Sequence, residues 1–548
     1  MSTATRLRRL DEEVEIVVLE RGEHVSYASC GLPYHLSDEV AEDDLAVLTP
    51  DRIEAMFDVD VRTGHEVTDV DADGKSVTVE TPDGPTAIEY DDLVLAPGAA
   101  PVVPPIEGLE SVETHTLRSV EDATALRDRV DDATGDHALV VGAGYIGLEV
   151  AETLDTAGFD VSVAEMRDRV MPRALGPAMA ATVHNHLREQ GVDLRLNTTV
   201  QAFRDGDRTT AVLDDGELET DLVVLATGVR PRTELAEAAG LDSHESGAIR
   251  VDERLQTSEP NVYALGDAVA TPAVDGGHAW VPLGGPANRQ GRVLGSVLAG
   301  REATLGPVLD TAVAKVFDLT VGTVGETEPE PVGSADTLEK VYVYPPSHAE
   351  YYPGGDRLWL KLLFDPDEGT VRGAQVVGPD GVDKRTDVLA TAIQHGDTVS
   401  DIAELDLGYA PPYGSAKDPV NVAGMAAENV VADIVEQVHW HDLDDALDDG
   451  RRLVDCRPPE MREADGYIEE SLNVPLPRLR ASVDDLPDEV TVHCKMGQTS
   501  YMAARVLDQS GIDVQNLAGG YELYDAVQRD RAARHEDTVE AVSVADDD

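Results

Sequence analysis

One stretch constrains the fold more than any other: HALVVGAGYIGLEVAETLDTAGFDVSVAE, residues 137 to 165. An apolar run, a glycine turn, a helical pattern and a second apolar run follow one another in the order of a βαβ unit. Gly142, Gly144 and Gly147 form G-x-G-x-x-G at the first turn, where backbone must turn tightly and approach a pyrophosphate with its amide groups. The stretch predicts a dinucleotide-binding unit; a glycine-rich turn without a ligand is the alternative.

The acidic residue that ends the second predicted strand bears on which dinucleotide is bound. Glu165 lies 18 residues beyond Gly147, where a carboxylate accepts hydrogen bonds from the adenosine ribose and favours NADH. Arg167 and Arg169 follow it, and either could pair with a 2′-phosphate. NADH and NADPH therefore both stay open.

A second nucleotide-binding unit is indicated upstream. EIVVLERGE, residues 15 to 23, is similar to the second strand of such a unit, with Glu20 at the ribose position. MSTATRLRRL is similar to the helix that follows a glycine-rich loop, so we expect that loop and its strand to precede Met1, upstream of the assigned start. NVYALGDA, residues 261 to 268, is similar to a flavin-reductase motif in which Asp267, after Gly266, binds the ribityl and pyrophosphate part of FAD. The alternative is an ordinary amphipathic helix at the N-terminus and no flavin site.

Two similar segments are predicted to be the points where the chain crosses between the two nucleotide-binding domains. LVLAPGAAP, residues 93 to 101, and LVVLATGVRP, residues 222 to 231, are each an apolar strand followed by a glycine turn, with Gly228 in the second. Residues from about 308 to 432 then form a mixed segment, with strand-like VYVYPP and LWLKLLF and a helix near Lys384 to Gly396.

A single cysteine stands in the stretch SYASCGLPY, residues 26 to 34, with no second cysteine near it. Cys30 can cycle between thiolate and mixed disulfide only if the partner sulfur arrives with the substrate. Ser29, Gly31 and Pro33 predict a strand-to-helix corner, and a helix N-terminus there would favour the nucleophilic thiolate. A buried structural cysteine is the alternative.

The other two cysteines lie near the C-terminus. VTVHCKMGQTSYMAARVL, residues 490 to 507, predicts a strand, a tight loop and a helix, with Cys494 heading the loop. Loop amides there would stabilise a thiolate or persulfide anion, although a structural cysteine is again the alternative. Three widely spaced cysteines, the third being Cys456, argue against a disulfide framework and for a cytoplasmic protein.

The net charge of the chain limits the classes of molecule that it can bind. The 548 residues include 107 acidic and 43 basic side chains, for a net charge of -64, which excludes nucleic acid as a main partner. The acidic residues recur in every segment, as in proteins from salt-rich cytoplasm, so we expect folding to need molar salt. No apolar run reaches the roughly 18 residues of a membrane span, and we expect no export signal.

Taken together, these motifs resemble the single-cysteine branch of the pyridine nucleotide-disulfide oxidoreductases, specifically coenzyme A-disulfide reductases fused to a rhodanese domain. The resemblance implies an α/β protein with two interleaved Rossmann-like domains for FAD and NAD(P), an α+β dimerisation domain and a C-terminal rhodanese α/β domain. The implied boundaries are 1–105 and 229–305 for FAD, 106–228 for NAD(P), 306–432 for dimerisation and 433–548 for rhodanese.

The resemblance also implies roles for individual residues. The catalytic residues would be Cys30, Tyr351, Tyr409 and Cys494, with the tyrosines delivered by the partner subunit of a homodimer and Tyr351 preferred over Tyr352. The cofactor-binding residues would be Glu20, Gly142, Gly144, Gly147, Glu165, Gly228, Gly266 and Asp267. The substrate-binding residues would be Arg9, Ser26, Ser29 and Lys495, with Arg6 as a further candidate for the coenzyme A phosphates.

This chain departs from the family pattern at several positions. Tyr27 replaces Phe, and Ser29 stands where the family usually has Asn. In the rhodanese-like part, Cys456 replaces the usual Val, and Thr499 occupies a position where the fused branch usually has Arg, so Lys495 is the candidate source of positive charge. The substrate preference of that domain is left open.

The implied activity is FAD-dependent reduction of coenzyme A disulfide by NADH or NADPH through Cys30, with coenzyme A as substrate or sulfur acceptor and a rhodanese domain handling sulfane sulfur. A persulfide or polysulfide reductase is the first alternative, and an NADH oxidase ranks after it. A flavin-less sulfur carrier acting through Cys494 is an alternative of another class.

Overall fold

The computed structural model describes residues 1–37, 39–132, 135–274, 276–328 and 338–545, with side chains to residue 534. The chain divides into two compact units. The first comprises Met1–Met166 and Thr198–Asp310, and the second comprises Arg167–Asn197 and Thr311–Asp548. Within the described ranges, no helix combines the length and the apolar character that crossing a membrane requires.

The βαβ unit predicted in the first compact unit is confirmed. Strand His137–Val141, helix Tyr145–Thr156 and strand Asp160–Glu165 follow in order. The two strands pair in parallel, and Leu222–Leu225 pairs in parallel on the other side of His137–Val141. These strands are buried almost throughout, which explains why they read as continuous apolar runs and not as alternating ones.

The elements predicted for the other nucleotide-binding part are also present. Helix Ser2–Arg8 and strand Val17–Glu20 lie where the sequence indicated, and Val17–Glu20 pairs in parallel with Asp60–Thr63. The N-terminal helix packs closely on helix Gly284–Leu298, because a Cβ built on Gly295 would lie 2.8 Å from the carbonyl oxygen of Thr3. Tight helix packing at a glycine fixes this N-terminal segment in the first unit.

The two similar segments between the nucleotide-binding parts lie side by side. Strands Ala99–Pro101 and Val229–Pro231 pair antiparallel. Upstream of them, Leu93–Leu95 pairs with Val262–Ala264, whereas Leu222–Leu225 belongs to the sheet of the βαβ unit. Each segment therefore leaves a different sheet and meets the other, which supports the prediction that they are the two crossings.

The remaining elements of the first unit surround these sheets. Its further antiparallel strands are Glu66–Asp71, Ser76–Glu80 and Thr86–Glu89 in one sheet and Val200–Arg204, Thr209–Leu213 and Gly216–Thr220 in another. A small sheet holds Ile249–Arg250, Val269–Pro272 and His278–Ala279. Its further helices are Leu32–His35, Glu42–Leu45, Pro50–Phe57, Val120–Asp131 and Glu234–Ala238.

The second unit begins with the segment predicted to be α+β. Its antiparallel sheet runs in the order Ala312–Val316, Leu319–Gly325, Val371–Gly378, Trp359–Phe364 and Glu339–Val343. The helices of this part are Val382–His395, Val399–Ala403 and Pro419–Val431, and the unit also contains helix Pro177–Glu189 and strand Asp193–Leu196. The strands and the helix expected from VYVYPP, LWLKLLF and Lys384 to Gly396 are confirmed.

The C-terminal part of the second unit is a parallel sheet flanked by helices. The strands run in the order Glu436–Val438, Asp513–Leu517, Glu489–His493, Arg452–Asp455 and Leu472–Asn473. The helices are Leu443–Asp448, Pro459–Asp465, Leu476–Ser482, Gln498–Asp508 and Gly520–Ala545. The predicted strand, tight loop and helix around Cys494 are therefore confirmed, while the domain boundaries stay predictions.

Candidate functional site

Cys30 lies exposed in a 3₁₀ turn, Ser29–Gly31, that runs into the short helix Leu32–His35. The predicted corner is present, but a strand does not lead into it, because Tyr27 makes only an isolated bridge to Ala46. The thiol lies against the first turn of helix Gly284–Leu298, since a Cβ built on Gly284 would be 3.9 Å from Cys30 Sγ. The alternative of a buried structural cysteine is wrong.

The residues around Cys30 tie its loop to the rest of the first unit. The carbonyl of Ser26 accepts the amide of Val47 at 3.1 Å, and Ser29 is exposed beside the cysteine. The Tyr34 hydroxyl donates to Glu149 Oε1 at 3.3 Å, and burial raises the pKa of Glu149 to about 7. The sequence analysis missed Glu149, although its place two residues after Gly147 on the nucleotide-binding helix was a signal.

The glycine turn of the βαβ unit has the geometry that a dinucleotide requires. Gly142 has φ 105°, and a Cβ there would lie 2.5 Å from the carbonyl oxygen of Ala226. A Cβ on Gly147 would lie 2.0 Å from the carbonyl oxygen of Gly142, whereas Gly144 has open space around it. Two glycines are thus required by the protein itself, and the third leaves room for a ligand to approach, so these residues fit NAD(P)H.

Glu165 has a second task beside the predicted one. Its side chain is 7% exposed, and Oε2 accepts the amide of Ala143, inside the glycine turn, at 2.8 Å. The carboxylate therefore braces the turn at the end of the strand where a ribose would bind. Its contact with the ribose stays a prediction.

The two arginines that could pair with the 2′-phosphate of NADPH differ in their surroundings. Arg169 is buried, its Nε donates to the carbonyl of Leu175 at 2.9 Å, and it forms an ion pair with Asp168 at 2.7 Å. Arg167 is exposed. A guanidinium held by its own loop disfavours Arg169 as a phosphate ligand, so any preference for NADPH would depend on Arg167.

The residues predicted to hold FAD lie in the first unit. Gly266 has φ 81° and open space around its Cα, and its amide donates to Gln290 Oε1 at 2.7 Å. Asp267 forms an ion pair with Arg118 at 2.5 Å. Glu20 accepts the amide of Gly22 at 2.8 Å, which orients its carboxylate at the end of its strand. The open turn and the oriented carboxylates fit FAD at its ribityl and ribose ends.

Arg118 and Gln290 had no signal in the local motifs. They come from distant segments and contact Asp267 and Gly266 only in the folded chain.

Gly228, in the second crossing, also makes its contact with a distant segment. It has φ 101°, and its carbonyl accepts the amide of Val102 at 2.9 Å. Its predicted contact with the cofactor stays a prediction.

A cleft of about 290 Å³ adjoins the N-terminal helix, and three of its lining residues are arginines. The lining residues are Ser2, Thr5, Arg6, Arg9, Asn288 and Arg292. Arg6 and Arg9 were expected near phosphates, and Arg292 is an addition from helix Gly284–Leu298. Within the part of the chain that the structure describes, neither Arg9 nor Arg292 has an acidic partner. In a protein of net charge -64, such a group of guanidinium ions favours an anionic ligand.

Two of the predicted tyrosines meet in the second unit. The hydroxyls of Tyr351 and Tyr409 lie 2.6 Å apart, and the side chains are 74% and 49% exposed. The hydrogen bond to Tyr409 raises the pKa of Tyr351, so its hydroxyl stays protonated at neutral pH. Tyr352 instead packs edge-on against His348. This arrangement supports the preference for Tyr351 over Tyr352.

Cys494 lies at the end of strand Glu489–His493 and is 4% exposed. The Ser500 hydroxyl, in the first turn of the following helix, lies 3.4 Å from its Sγ and 3.0 Å from the carbonyl oxygen of Gly497, so its one proton can be donated to either acceptor. Gly497, with φ 84°, begins that helix. Tyr521 donates its amide to the carbonyl of Cys494 at 2.9 Å. The loop is therefore fixed from both ends, and a thiolate or persulfide at Cys494 has a hydroxyl donor that the sequence analysis missed.

Lys495 does not supply an isolated positive charge to this loop. Its Nζ lies 3.0 Å from Asp465 Oδ2 and 4.0 Å from Glu522 Oε2. Two carboxylates thus offset its charge, which disfavours the role expected for it as a substitute for the missing arginine. Thr499 is half-buried beside Ser500 and carries no charge.

Comparisons with known proteins match the whole length of this architecture. Residues 1–290 match the pyridine nucleotide-disulphide oxidoreductases, 311–419 match the dimerisation domain of that family, and 439–526 match rhodanese-like domains. An NADH oxidase of Methanocaldococcus jannaschii is 36% identical over 435 residues, 77% of this chain and 95% of that protein.

Two solved structures extend the match to the C-terminal domain. Reduced CoADR-RHD of Bacillus anthracis has a TM-score of 0.93 and 41% identity, covering 97% of this chain and 96% of its own. An NAD-dependent persulfide reductase from A. fulgidus has a TM-score of 0.89 and 38% identity, covering 95% of this chain and 97% of its own. The predicted combination of domains is confirmed.

Proposed function

Because the chain belongs to the pyridine nucleotide-disulphide oxidoreductases, we propose that it uses NAD(P)H to reduce coenzyme A disulfide, or a related sulfur substrate, through Cys30. The cofactors of this family are FAD and NAD(P)H. Bound FAD supplies the route by which electrons from NAD(P)H reach a disulfide at Cys30. The residues of this chain bind the substrate, form the mixed disulfide and protonate the leaving sulfur.

One observation carries the choice of substrate. Helix Gly284–Leu298 begins close to Cys30, since a Cβ built on Gly284 would be 3.9 Å from Cys30 Sγ, and it contributes Asn288 and Arg292 to the arginine-lined cleft. Positions 284, 288 and 292 share one face of the helix, and eight residues span about 12 Å. A substrate that reaches both places needs an anionic group well separated from its sulfur. Coenzyme A has this form, with phosphates at one end and a thiol at the end of a long arm.

The proposed chemistry at Cys30 is thiol-disulfide exchange. The Cys30 thiolate attacks one sulfur of the substrate disulfide, forms a mixed disulfide and expels the other sulfur as a thiolate. An exposed thiol at a helix N-terminus suits this step, because the incoming disulfide is large and the helix amides stabilise the attacking anion. A protonated Tyr351 hydroxyl is suited to donating a proton to the leaving sulfur.

A pair of disulfides tests the substrate assignment. Coenzyme A disulfide and pantethine share the same sulfur-bearing arm, but pantethine lacks the nucleotide phosphates. We expect NADH oxidation to show a lower KM for coenzyme A disulfide, and the triple variant Arg6→Ala, Arg9→Ala, Arg292→Ala to lose this preference while its kcat with pantethine is kept. Arg52→Ala, an exposed arginine on helix Pro50–Phe57, is the matched control. Equal KM values for the two disulfides in the wild type would refute the assignment.

A persulfide or polysulfide reductase is the second candidate, and the geometry at Cys494 favours it. A rigid loop with a hydroxyl donor within reach of the sulfur is suited to carrying sulfane sulfur, and one of the similar structures is a persulfide reductase. Turnover of coenzyme A persulfide and of coenzyme A disulfide by the same preparation separates the candidates. The substrate with the higher kcat/KM is the assigned one.

We also propose that the protein is a homodimer in which the partner subunit's Tyr351 and Tyr409 act beside Cys30. The match of residues 311–419 to a dimerisation domain supports this arrangement. Mixing Cys30→Ser protein with the Tyr351→Phe, Tyr409→Phe protein under subunit exchange should restore activity, because one active pair forms in each mixed dimer. No restoration after confirmed exchange would place the tyrosines in the same subunit as Cys30 or outside the reaction.

The net charge of -64 supports a further proposal, that the protein works in a salt-rich cytoplasm. At low ionic strength its acidic surface repels itself, and salt screens the repulsion between charges farther apart than the Debye length, which falls from about 10 Å at 0.1 M to about 3 Å at 1 M. The unfolding temperature should rise steeply with KCl up to molar concentrations. An unfolding temperature independent of KCl would reject the proposal.

A further inference from the structure

Cys456 lies beside Cys494 in the C-terminal parallel sheet. Strand Arg452–Asp455 pairs in parallel with Glu489–His493, with Asp455 opposite His493. The amide of Cys456 donates to the carbonyl of His493 at 2.8 Å. One residue further along each strand therefore places the two cysteines next to each other at the same edge of the sheet.

The two thiols also share a face of that sheet. Side chains alternate between the faces of a strand, and Cys456 and Cys494 belong to one buried apolar cluster with Val454, Val490 and Val492. Neighbouring strands lie about 4.8 Å apart, and disulfides join Cα atoms that are about 4.4–6.8 Å apart. The usual spacing of neighbouring strands is therefore within the range that a disulfide between Cys456 and Cys494 would need to span.

Charged groups hold Cys456 in this position. Arg457 donates two hydrogen bonds to the Asp455 carboxylate, with Nη2 to Oδ2 at 2.7 Å, and a third to the carbonyl of Gly466 at 2.9 Å. His493 Nε2 lies 3.8 Å from the same carboxylate. The residues on both sides of Cys456 are thus fixed by a buried ion pair, which keeps its thiol beside Cys494.

The environments of the two thiols differ in a way that orders their reactions. Burial raises the pKa of Cys456, and the nearby Cys494 and Asp455 raise it further. Cys494 has the Ser500 hydroxyl within reach of its sulfur, whereas among the described residues Cys456 Sγ has a hydrogen-bond contact only with the carbonyl of Val454, at 4.0 Å. Cys494 is therefore suited to accepting a sulfur atom first, and Cys456 remains a thiol that reacts second.

We propose that Cys456 is a resolving thiol: it attacks a persulfide on Cys494, closes a Cys456–Cys494 disulfide and releases hydrogen sulfide. The new bond joins the two cysteine sulfurs, and the bond between Cys494 Sγ and the outer sulfur breaks. The outer sulfur is reduced and leaves with its own proton and the Cys456 proton as H₂S, while the two cysteines are oxidised. The step consumes no other reductant.

The disulfide is reset by a co-reactant of known class, a small thiol. Two molecules of coenzyme A thiol reduce it by exchange and are released as coenzyme A disulfide, while both cysteines regain their protons. Coenzyme A disulfide is the substrate proposed for Cys30, so the inference rests on the proposed function. The sum of the steps converts a persulfide and NAD(P)H with one proton into a thiol, H₂S and NAD(P)⁺.

The test uses full-length protein with Cys30→Ser, so that only the two cysteines of this domain remain. The protein receives a pulse of glutathione persulfide, without NAD(P)H or coenzyme A, and is then quenched with an alkylating agent in acid. We expect release of one H₂S per chain, loss of both alkylatable thiols and a cross-linked peptide pair containing Cys456 and Cys494. Added coenzyme A should restore both thiols.

The matched protein carries Cys456→Val in addition, the residue that this position usually holds in relatives, and Cys456→Ala serves as a second variant. Both should keep a persulfide on Cys494, seen as one extra sulfur atom by mass, and release H₂S at least about tenfold more slowly. An equally lasting persulfide with Cys456 present would overturn the resolving role alone. Failure of Cys494 to load sulfur in every variant would overturn both this role and the sulfane-handling part of the proposed function.

Discussion

The two reactive cysteines of this protein stand in opposite surroundings. Cys30 is exposed on a short turn, and its thiol lies near the first turn of helix Gly284–Leu298. Cys494 is buried at the end of a strand, with a serine hydroxyl on its sulfur and a second thiol beside it. One thiol is open to solvent, and the other is almost fully covered by its own domain.

This difference teaches how the fold divides sulfur chemistry. An exposed thiol can form a mixed disulfide with a large molecule, provided that distant groups such as the arginine-lined cleft hold the rest of that molecule. A buried thiol on a rigid loop exposes little more than its sulfur to a donor, and its surroundings protect the resulting persulfide from solvent. We therefore expect the two cysteines to serve separable reactions.

Exchange of each cysteine for serine gives the largest expected effect. Cys30→Ser should abolish NAD(P)H-dependent disulfide reduction and leave thiosulfate:cyanide sulfurtransfer unchanged, and Cys494→Ser should do the reverse, because serine is not a nucleophile toward sulfur under these conditions. Both activities are measured on the same preparations, with Arg52→Ala, an exposed residue outside both sites, as the control variant. Loss of both activities in either variant would mean that the sites are not separable. Sulfurtransfer alone in the wild type, with no NAD(P)H oxidation, would favour the flavin-less sulfur carrier.

Gly147→Ala should weaken NADH binding, and so impair the reaction at Cys30 without affecting the reaction at Cys494. The added Cβ would lie 2.0 Å from the carbonyl oxygen of Gly142, and such overpacking costs about 1–3 kcal/mol, or roughly 5- to 150-fold in NADH affinity. Sulfurtransfer at Cys494 should be unaffected. Gly144→Ala meets no protein atom within 4 Å, so it should weaken NADH binding without lowering the unfolding temperature. A Gly147→Ala protein with normal NADH affinity would remove this turn from the nucleotide site.

Local sequence patterns predicted the helices and strands around both cysteines, but not the side chains that contact the two sites. The run from His137 to Glu165 gave its strands and helix because each step of a βαβ unit has a local signature. Arg118, Gln290 and Ser500 act through side chains placed by the folded chain, as when Arg118 meets Asp267 from 149 residues away. Arg169 and Lys495 are disfavoured as ligand candidates for the same reason, because each is held by a nearby carbonyl or carboxylate that no motif records.

Ser500→Ala tests whether the buried site depends on its hydroxyl. The Ser500 hydroxyl lies 3.4 Å from Cys494 Sγ, and a hydrogen bond to a charged group is worth about 1.5 kcal/mol or somewhat more. Sulfurtransfer should fall about tenfold, because the sulfur anion loses a donor. Ser510→Ala, an exposed serine just after helix Gln498–Asp508, is the matched control. Sulfurtransfer that is unchanged in Ser500→Ala would show that the hydroxyl does not act on the sulfur.

Tyr351→Phe is expected to have the smallest effect and bears on the exposed site. Its hydroxyl lies 2.6 Å from that of Tyr409, so a second donor remains after the substitution, and disulfide reduction should slow by about fivefold, well below the usual 10²–10⁴-fold contribution of a general acid. The hydrogen bond that raises the pKa of Tyr351 keeps it protonated, so the decrease should appear in kcat across neutral pH, with KM unchanged. Tyr352→Phe, whose ring packs on His348, should leave both constants unaltered. If Tyr352→Phe slowed reduction more than Tyr351→Phe, the two tyrosines would exchange roles, and the hydrogen-bonded pair would be a feature of the surface with no part in proton transfer at Cys30.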